Sequence, residues 1–336
     1  MRDLVLDFIR YAEEIGKKVE NLVYDVIKGG PQRIYDASLH YIKAGGKRLR
    51  PLVVVLASRI AGGNEKIAIP GAAAVEVLHT FTLVHDDIID KDELRRGVPT
   101  VHKLWGVDMA IIAGDLLFAY AYKCLLKALQ LGVPSDRIAK SIEALTEAAI
   151  TVAEGQALDM MLPEAKEASV EDYIDMVSKK TAALFAYSAK IGGILAGASE
   201  EYLLKLFNIM MNAGIAFQIR DDILGLVGDE KALGKPVYSD LREGKMTVLV
   251  IYALKNADSE RRAKLLKSLG NRSAGLEELR EAAKIVVESG ALEYSESLAD
   301  MYANKAIELL SELKPADTEA FEMFKELIKF MIKRRY

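Results

Sequence analysis

The sequence predicts an all-α protein. Apolar residues recur at i, i+3 and i+4 through most of the 336 residues, which is the period of an amphipathic helix. Because β-branched residues seldom alternate with polar ones, strand signals are nearly absent. Glycine and proline breaks, Gly192-Gly193 among them, leave stretches of roughly 12 to 25 residues, an ordinary to long size for helices in a bundle. No long linker or internal repeat is visible, so we predict one domain over residues 1–336.

The amino-acid composition and charge limit the classes of function that the protein can have. The chain is 51% hydrophobic, ample for a large core, and its formal net charge of −4 argues against a nucleic-acid partner. Cys124 is the single cysteine, so no intrachain disulfide can form and a cytoplasmic location is expected. The N-terminus lacks a signal-peptide core, and no stretch of about 18 apolar residues is free of charge, so no transmembrane segment is predicted.

The first segment with chemical content is Gly-Gly-Lys-Arg-Leu-Arg-Pro at 45–51. Paired glycines let a backbone approach a ligand closely, and Pro51 favours a helix start, where amides attract anions. Lys47 and Arg50 add positive charge, which suits a phosphate-bearing ligand. An ordinary basic loop is the alternative.

Three aspartates, Asp86, Asp87 and Asp90, then follow a mostly apolar run at 72–84 that predicts a buried helix. On that helix, Asp86 and Asp90 lie about 40° apart on one face and roughly 6 Å apart along the axis. Like charges this close call for a cation between them, and two carboxylates suit Mg²⁺, which shares its shell with water and phosphate oxygens. A solvated acidic helix end is the alternative.

Flanking residues extend this pattern. His79 lies seven residues before Asp86 on the same face, although a lone histidine is more often a core residue. Arg95 and Arg96 follow the aspartates at a predicted helix end, and two adjacent arginines suit two anions. Phe118 and Tyr122, spaced i and i+4, are predicted to lie in the core or to line an apolar pocket.

The second half of the sequence again places basic residues and a pair of aspartates at the ends of apolar runs. Lys180 and Thr181 open an apolar run, and Asp221 and Asp222 end another apolar helix. Glycines alternate with lysines after that helix, at 234–235 and 244–245, which indicates a basic flap able to close over phosphate. The basic tail at 333–336 is predicted to be solvated.

Together these motifs resemble the trans-type isoprenyl diphosphate synthase (polyprenyl synthetase) family. Single motifs are weak, but the ordered set is specific. The matching motifs are the basic segment at 45–51, the aspartates at 86–90, Arg95-Arg96-Gly97, Gly155-Gln156, Lys180-Thr181, Phe217-Gln218, Asp221-Asp222, Gly234-Lys235 and Gly244-Lys245. The resemblance implies a single-domain bundle of antiparallel helices around a central cavity (the isoprenoid synthase fold), in a homodimer.

The resemblance also implies a prenyltransferase that condenses isopentenyl diphosphate with dimethylallyl, geranyl or farnesyl diphosphate, using roughly two or three Mg²⁺ ions per site. The implied Mg²⁺ ligands are Asp86, Asp87, Asp90, Asp221 and Asp222. The implied allylic-diphosphate residues are Arg95, Lys180, Lys235 and Lys245, and the isopentenyl-diphosphate residues are Lys47, Arg50, His79 and Arg96. Thr181 and Gln218 would face the developing cation. The predicted catalytic set is Asp86, Asp87, Asp90, Arg95, Lys180, Thr181, Gln218 and Asp221.

One position departs from the family pattern. Residue 225 is glycine where the second acidic motif usually has aspartate, so we expect this segment to bind metal less symmetrically, mainly through Asp221. A terpene cyclase is a weaker alternative, because Gly225 has no hydroxyl for the usual second metal motif. An inactive partner subunit is another alternative, against which the intact first motif argues.

Product length is expected to depend on the residue beneath Asp86. Helical geometry places Thr82 there. The family pattern points instead to Phe81, which we favour because a ring can block a growing chain. The predicted product is the C20 geranylgeranyl diphosphate, with farnesyl or longer-chain products as the alternatives.

Overall fold

The computed structural model describes residues 2–165, 167–227 and 238–332. The described chain is almost wholly helical, and the predicted all-α class is confirmed. Its elements are α1 (Arg2–Val26), α2 (Gln32–Lys43), α3 (Leu49–Ile60), α4 (Glu65–Asp90), β1 (Leu94–Arg95), β2 (Val98–Pro99), α5 (Val101–Trp105), α6 (Val107–Leu125), α7 (Ser135–Met161), α8 (Val170–Val177), α9 (Ala183–Ala196), α10 (Glu200–Val227), α11 (Ser239–Glu243), α12 (Val248–Asn256), α13 (Ser259–Ser268), α14 (Leu276–Glu288), α15 (Ala291–Ser311) and α16 (Thr318–Ile332). Two 3₁₀ turns, Leu126–Leu131 and Leu162–Glu164, and a π-helical turn, Ser178–Ala182, extend α6, α7 and α8.

Internal contacts divide the chain into two compact units. Unit 1 consists of Met1–Ala149, Leu184–Asn208 and Glu312–Leu327. Unit 2 consists of Ile150–Ala183, Ile209–Ser311 and Ile328–Tyr336. The assignment of one domain to the chain stays a prediction.

In unit 1, α4 is packed between α3 and α6. Its small residues allow close approach: a Cβ on Gly71 would lie 2.7 Å from the Cδ1 atom of Leu195 in α9. The Asn64 side chain caps its start by accepting a hydrogen bond from the Ile67 amide at 3.2 Å. Lys91, with φ +60°, ends it in the left-handed conformation. These boundaries place Asp86, Asp87 and Asp90 in the last turns of a buried helix, as the sequence predicts.

In unit 2, one buried apolar cluster sets the orientation of α10. Ile219 and Ile223 of this helix share the cluster with Val248 of α12, Leu279 of α14 and Ala299 of α15. The helical period places Asp222 on the same side of α10 as Ile219 and Ile223, where it is buried, whereas Asp221 lies on another side and is partly exposed.

Two predicted boundaries are wrong. Arg95 and Arg96 do not end a helix, because α4 stops at Asp90 and β1 pairs antiparallel with β2. The hairpin turns at Arg96 and Gly97, both with positive φ (54° and 75°), as in type I′ turns. The predicted break at Gly192 and Gly193 lies inside α9, where these glycines serve close packing: a Cβ on Gly192 would lie 2.2 Å from the Val54 carbonyl oxygen.

Three helical stretches of the described chain have the length and apolar composition to cross a membrane: Glu65–Asp90, Val107–Leu131 and Glu200–Val227. Between 44% and 67% of their most apolar windows is buried inside the protein. The absence of a transmembrane segment stays a prediction.

Candidate active site

Asp86 and Asp90 lie partly exposed at the C-terminal end of α4. A helix C-terminus carries partial negative charge, so carboxylates are unfavourable there unless a cation is near. His85, beside them, is held against α6: its Nε2 lies 3.1 Å from the Ile111 carbonyl oxygen. Gly114 leaves space for that ring, since a Cβ at this position would lie 2.1 Å from the His85 Nε2. The exposed carboxylate pair is thus presented on a rigidly packed helix end.

Asp87 does not suit its predicted role as a metal ligand. Its side chain is buried, and both carboxylate oxygens accept hydrogen bonds: Oδ1 from the Arg95 Nε at 2.6 Å, and Oδ2 from the Tyr41 hydroxyl. Arg95 also pairs with Asp92 at 3.0 Å. Burial raises the pKa of Asp87, against the opposing effect of Arg95. Asp87 therefore anchors the hairpin that carries Arg95, and Tyr41 is a contributor that sequence reasoning missed.

The basic segment is brought against α4. Arg50, in the first turn of α3, donates to His79 Nε2 at 3.2 Å and lies 4.2 Å from the ring centroid of Phe185. Burial, then the charges of Arg50 and Arg96, lower the pKa of His79 well below its ordinary value. His79 is therefore a neutral acceptor near neutral pH. Lys47 is exposed one residue before Arg48. Arg50 and His79, to which the family resemblance gives one ligand, are therefore in contact.

Arg48, which the sequence did not single out, fixes this segment. Its backbone is left-handed (φ +47°) and its side chain is buried. It donates to Glu20 of α1 at 3.1 Å, to the Ile42 carbonyl oxygen at 2.7 Å, and to buried Glu76 of α4. The backbone that carries Lys47 and Arg50 is thereby tied to three helices.

Arg96 lies on the glycine pair of the basic segment. Its Nη1 donates to the Tyr41 carbonyl oxygen at 3.0 Å and to the Gly45 carbonyl oxygen. A Cβ on Gly46 would lie 2.8 Å from the Arg96 Cζ. A side chain at position 46 would displace the Arg96 guanidinium from this position, which accounts for one of the paired glycines.

If Arg96 binds isopentenyl diphosphate, as the family resemblance implies, Gly46→Ala should raise the KM for this substrate about tenfold while changing kcat less, because it displaces Arg96. Gly45→Ala is the matched control: both glycines have positive φ (86° and 144°), but nothing lies within 4 Å of a Cβ on Gly45. Steady-state kinetics of both variants separate the effect of displacing Arg96 from the effect of the backbone strain that both substitutions introduce. Equal KM values in the two variants would contradict this explanation.

Phe81 belongs to a row of aromatic rings between α4 and α6. Its ring centroid lies 4.9 Å from that of His85 and 5.4 Å from that of Phe118, and Phe118 lies 5.4 Å from Tyr122. The Thr82 hydroxyl instead donates to the His79 carbonyl oxygen of its own helix at 2.8 Å. The ring of Phe81 is therefore in contact with α6 through Phe118.

In unit 2, Asp221 is partly exposed, whereas Asp222 is buried. Asp222 accepts from the Tyr173 hydroxyl at 2.6 Å and from Gln218 Nε2 at 2.8 Å, so both its oxygens are engaged. Burial, then the charge of Asp240, raise the pKa of Asp222 to about 7. Direct metal binding by Asp222, as predicted, does not suit this placement, whereas Asp221 remains suitable.

This pKa has a consequence for stability. An aspartate that binds its proton more tightly when folded stabilises the protein at pH values below about 4, and this contribution is lost as the pH rises towards 7. Without divalent cations, we expect Asp222→Asn to exceed wild type in unfolding free energy by about 1–3 kcal/mol at pH 8, with little difference at pH 4. Thermal unfolding across this range measures it, and a constant difference would exclude titration of Asp222 as the cause.

The missing carboxylate at position 225 has a spatial substitute. A Cβ on Gly225 would lie 2.8 Å from Asp240 Oδ2, so the Asp240 carboxylate occupies the space where a side chain at 225 would begin. The Tyr238 amide donates to the Gly225 carbonyl oxygen at 3.2 Å and holds this approach. Asp222, Gly225 and Asp240 line a cavity of about 10 Å³, room for roughly one water molecule.

Lys180 and Thr181 lie in the π-helical turn. The Lys180 Nζ donates to Asp159 Oδ2 at 2.5 Å, and the Thr181 hydroxyl donates to Gln218 Oε1 at 2.9 Å. Gln218 in turn donates to Asp222, so Thr181, Gln218, Asp222 and Tyr173 form one hydrogen-bonded chain. Lys245 follows α11, 3.4 Å from Glu243. Lys235 and the tail at 333–336 lie outside the described residues.

The donor set fits Mg²⁺ bound together with a ligand. Its exposed members are carboxylates, the ligand type that Mg²⁺ prefers. Within the described ranges, no three His, Cys, Asp or Glu side chains lie close enough to hold a metal ion by themselves. Mg²⁺ can be bound by one or two carboxylates, with water and phosphate oxygens as its other ligands. Such a site does not require three protein ligands.

Comparison with known proteins agrees with this fold. The family model "Polyprenyl synthetase" matches residues 31–286. A geranylfarnesyl diphosphate synthase of Aeropyrum pernix is 46% identical, over 94% of this chain and 99% of the relative. A geranylgeranyl diphosphate synthase of Sulfolobus acidocaldarius is 45% identical, over 98% and 99%. The geranylgeranyl pyrophosphate synthase of Corynebacterium glutamicum, solved with isoprenyl diphosphate and magnesium, superimposes with a TM-score of 0.89 at 28% identity and covers 98% of this chain and 99% of its own.

This fold and these relatives define the chain as a prenyltransferase. The chain belongs to the polyprenyl synthetase family. The predicted family, its isoprenoid synthase fold and the enzyme class are thereby confirmed.

Proposed function

We propose that the chain elongates dimethylallyl, geranyl and farnesyl diphosphates with isopentenyl diphosphate to give geranylgeranyl diphosphate. The observation that carries this proposal is the packing of the basic segment on α4: Arg50 contacts His79, two turns below Asp86. A basic set packed against the helix that carries a partly exposed carboxylate pair suits an enzyme that uses two diphosphate substrates.

Asp86, Asp90 and Asp221 are the proposed Mg²⁺ ligands, because they are partly exposed where Asp87 and Asp222 are buried and hydrogen-bonded. Bound Mg²⁺ would neutralise the diphosphate leaving group. The number of ions, about two or three, is part of this proposal. Asp87 and Asp222 are reassigned as residues that hold Arg95 and Gln218 in place.

Basic side chains hold the two substrates in this proposal. Lys47, Arg50, Arg96 and neutral His79 bind isopentenyl diphosphate, and Arg95, Lys180, Lys235 and Lys245 bind the allylic diphosphate. The C–O bond of the allylic substrate then breaks, and the diphosphate leaves with its electron pair. The isopentenyl double bond attacks the cation, and a proton is lost to the departed diphosphate. The oxygens of Thr181 and Gln218 stabilise the cation while it lasts.

Product length depends on Phe81 in this proposal. Its ring, supported by Phe118, stops the chain at C20. The relatives are named for two different products, geranylgeranyl and geranylfarnesyl diphosphate, so C25 is the second candidate product.

The proposal includes a homodimer. Val107, Ile111, Ile112 and Phe118 leave apolar surface of α6 exposed, which a second copy would cover. The family match includes parts of both units, which supports one functional domain. A cytoplasmic location belongs to the same proposal, because Cys124 is the single cysteine and no intrachain disulfide can form.

Incubation of the purified protein with radiolabelled isopentenyl diphosphate, Mg²⁺ and each allylic diphosphate tests the function. Incorporation into a C20 alcohol after dephosphorylation is expected from all three primers. Cyclic hydrocarbons without incorporation would indicate a terpene cyclase. Incorporation that requires a second protein would indicate a partner subunit.

A further inference from the structure

The π-helical turn Ser178–Ala182 carries Lys180 and Thr181, and its position depends on two glycines. We infer that Gly155 of α7 and Gly214 of α10 are positioning residues that hold this turn. The inference rests on the proposed function, because it concerns the same site. Isolated π-helical turns are rare and occur frequently at functional sites. Because such a turn has no long ladder of its own hydrogen bonds, neighbouring elements have to hold it.

The first contact is with α7. A Cβ on Gly155 would lie 2.2 Å from the Lys180 backbone nitrogen and 2.6 Å from the Lys179 carbonyl carbon, so only glycine allows the two backbones to meet. One helical turn later, Asp159 accepts a hydrogen bond from the Lys180 Nζ. Gly155 thus sets the backbone of Lys180, and Asp159 sets its side chain.

The second contact, between the π-helical turn and α10, has the same arrangement as the contact with α7. A Cβ on Gly214 would lie 2.7 Å from the Ala182 Cα. One helical turn later, Gln218 accepts a hydrogen bond from the Thr181 hydroxyl at 2.9 Å. Each helix therefore offers a glycine to the backbone of the π-helical turn and a polar side chain to one of its functional residues.

A methyl group at either glycine meets atoms that cannot swing aside. The contacts at Gly155 are backbone atoms, and those at Gly214 are the Cα and Cβ of Ala182. Relief of the clash requires the turn to move by about 1 Å, and a displacement of that size near reacting groups lowers rates about 100-fold. The segment at 45–51, which is proposed to bind isopentenyl diphosphate, belongs to unit 1, whereas both glycines belong to unit 2, so we expect its ligand to be unaffected.

We expect Gly155→Ala and Gly214→Ala to lower kcat about 100-fold and to leave the KM for isopentenyl diphosphate within about threefold. Gly192→Ala is the matched control: its Cβ would meet the Val54 carbonyl oxygen at 2.2 Å, but it touches no proposed site residue. It should lower Tm by a similar amount and keep kcat near wild type. Asp159→Asn loosens Lys180 without a clash and is expected to lower kcat without lowering Tm.

A double-mutant comparison distinguishes a positioning role of Gly155 from general destabilisation of the protein. If Gly155 acts through Lys180, Gly155→Ala should cost less than about threefold in kcat in a Lys180→Ala background. Full additivity of the two losses, or kcat values equal to that of Gly192→Ala, would overturn the inference.

Amide hydrogen exchange supplies a readout that does not need turnover. Residues 178–182 should exchange at least about tenfold faster in both glycine variants than in Gly192→Ala. Unchanged exchange there would overturn the positioning role. A wild-type protein that incorporates no isopentenyl diphosphate would refute the proposed function, and exchange would still decide whether the glycines hold the turn.

Discussion

Replacement of Asp86 by alanine is expected to lower kcat about 1,000-fold, whereas replacement of Asp222 lowers it about tenfold. The two aspartates look equivalent in the sequence, but Asp86 is partly exposed at a helix end and Asp222 is buried with both oxygens hydrogen-bonded. Loss of Asp86 removes a proposed Mg²⁺ ligand and several kcal/mol of charge stabilisation. Loss of Asp222 only loosens Gln218 and Tyr173.

Single-turnover kinetics at saturating Mg²⁺ measure both losses. Asp222→Asn controls for the buried hole that alanine leaves, because asparagine keeps the shape without the charge. Asp86→Asn should remain close to Asp86→Ala, since a neutral amide is a poor Mg²⁺ ligand. Equal losses for Asp86→Ala and Asp222→Ala would show that burial does not separate the roles of these two residues.

The helical periodicity that predicts the fold also predicts the α4 part of the site. An apolar run that ends in aspartates at i and i+4 defines both the helix and the face it presents, and α4 carries them as expected. The Arg50–His79 contact is consistent with the family resemblance, which implies one ligand for both residues, whereas the spacing of the two motifs does not by itself predict the contact.

Residue spacing does not predict contacts between segments that are far apart in the sequence. The strands of the hairpin at Arg95 have two residues each, too few to show the alternation of apolar and polar residues that marks a strand. The sequence therefore indicates a helix end, and not a hairpin, for Arg95 and Arg96. The burial of Asp87 depends on Tyr41, 46 residues away, and nothing in the spacing marks that tyrosine as its partner. The same holds for Gly225: the sequence shows a missing carboxylate, and only the tertiary structure shows Asp240 in its space.

Replacement of Phe81 by alanine is expected to lengthen the main product by at least one isoprene unit. The ring contacts His85 and Phe118, and its removal leaves a space of about the volume of one isoprene unit, which the surrounding helices close only in part. A growing apolar chain gains free energy by entering such a space. Elongation then continues until another side chain blocks it.

Thr82→Ala is the matched control, because the two residues are adjacent on α4 and helical geometry alone favours Thr82 as the floor. The Thr82 hydroxyl is bonded to the backbone of its own helix, so its loss should leave product length unchanged. Chromatography of the dephosphorylated products from wild type and both variants, at equal conversion, gives the distribution. A longer product from Thr82→Ala with an unchanged one from Phe81→Ala would move the floor to Thr82. The test is independent of whether the wild-type product is C20 or C25, because it measures the change in length.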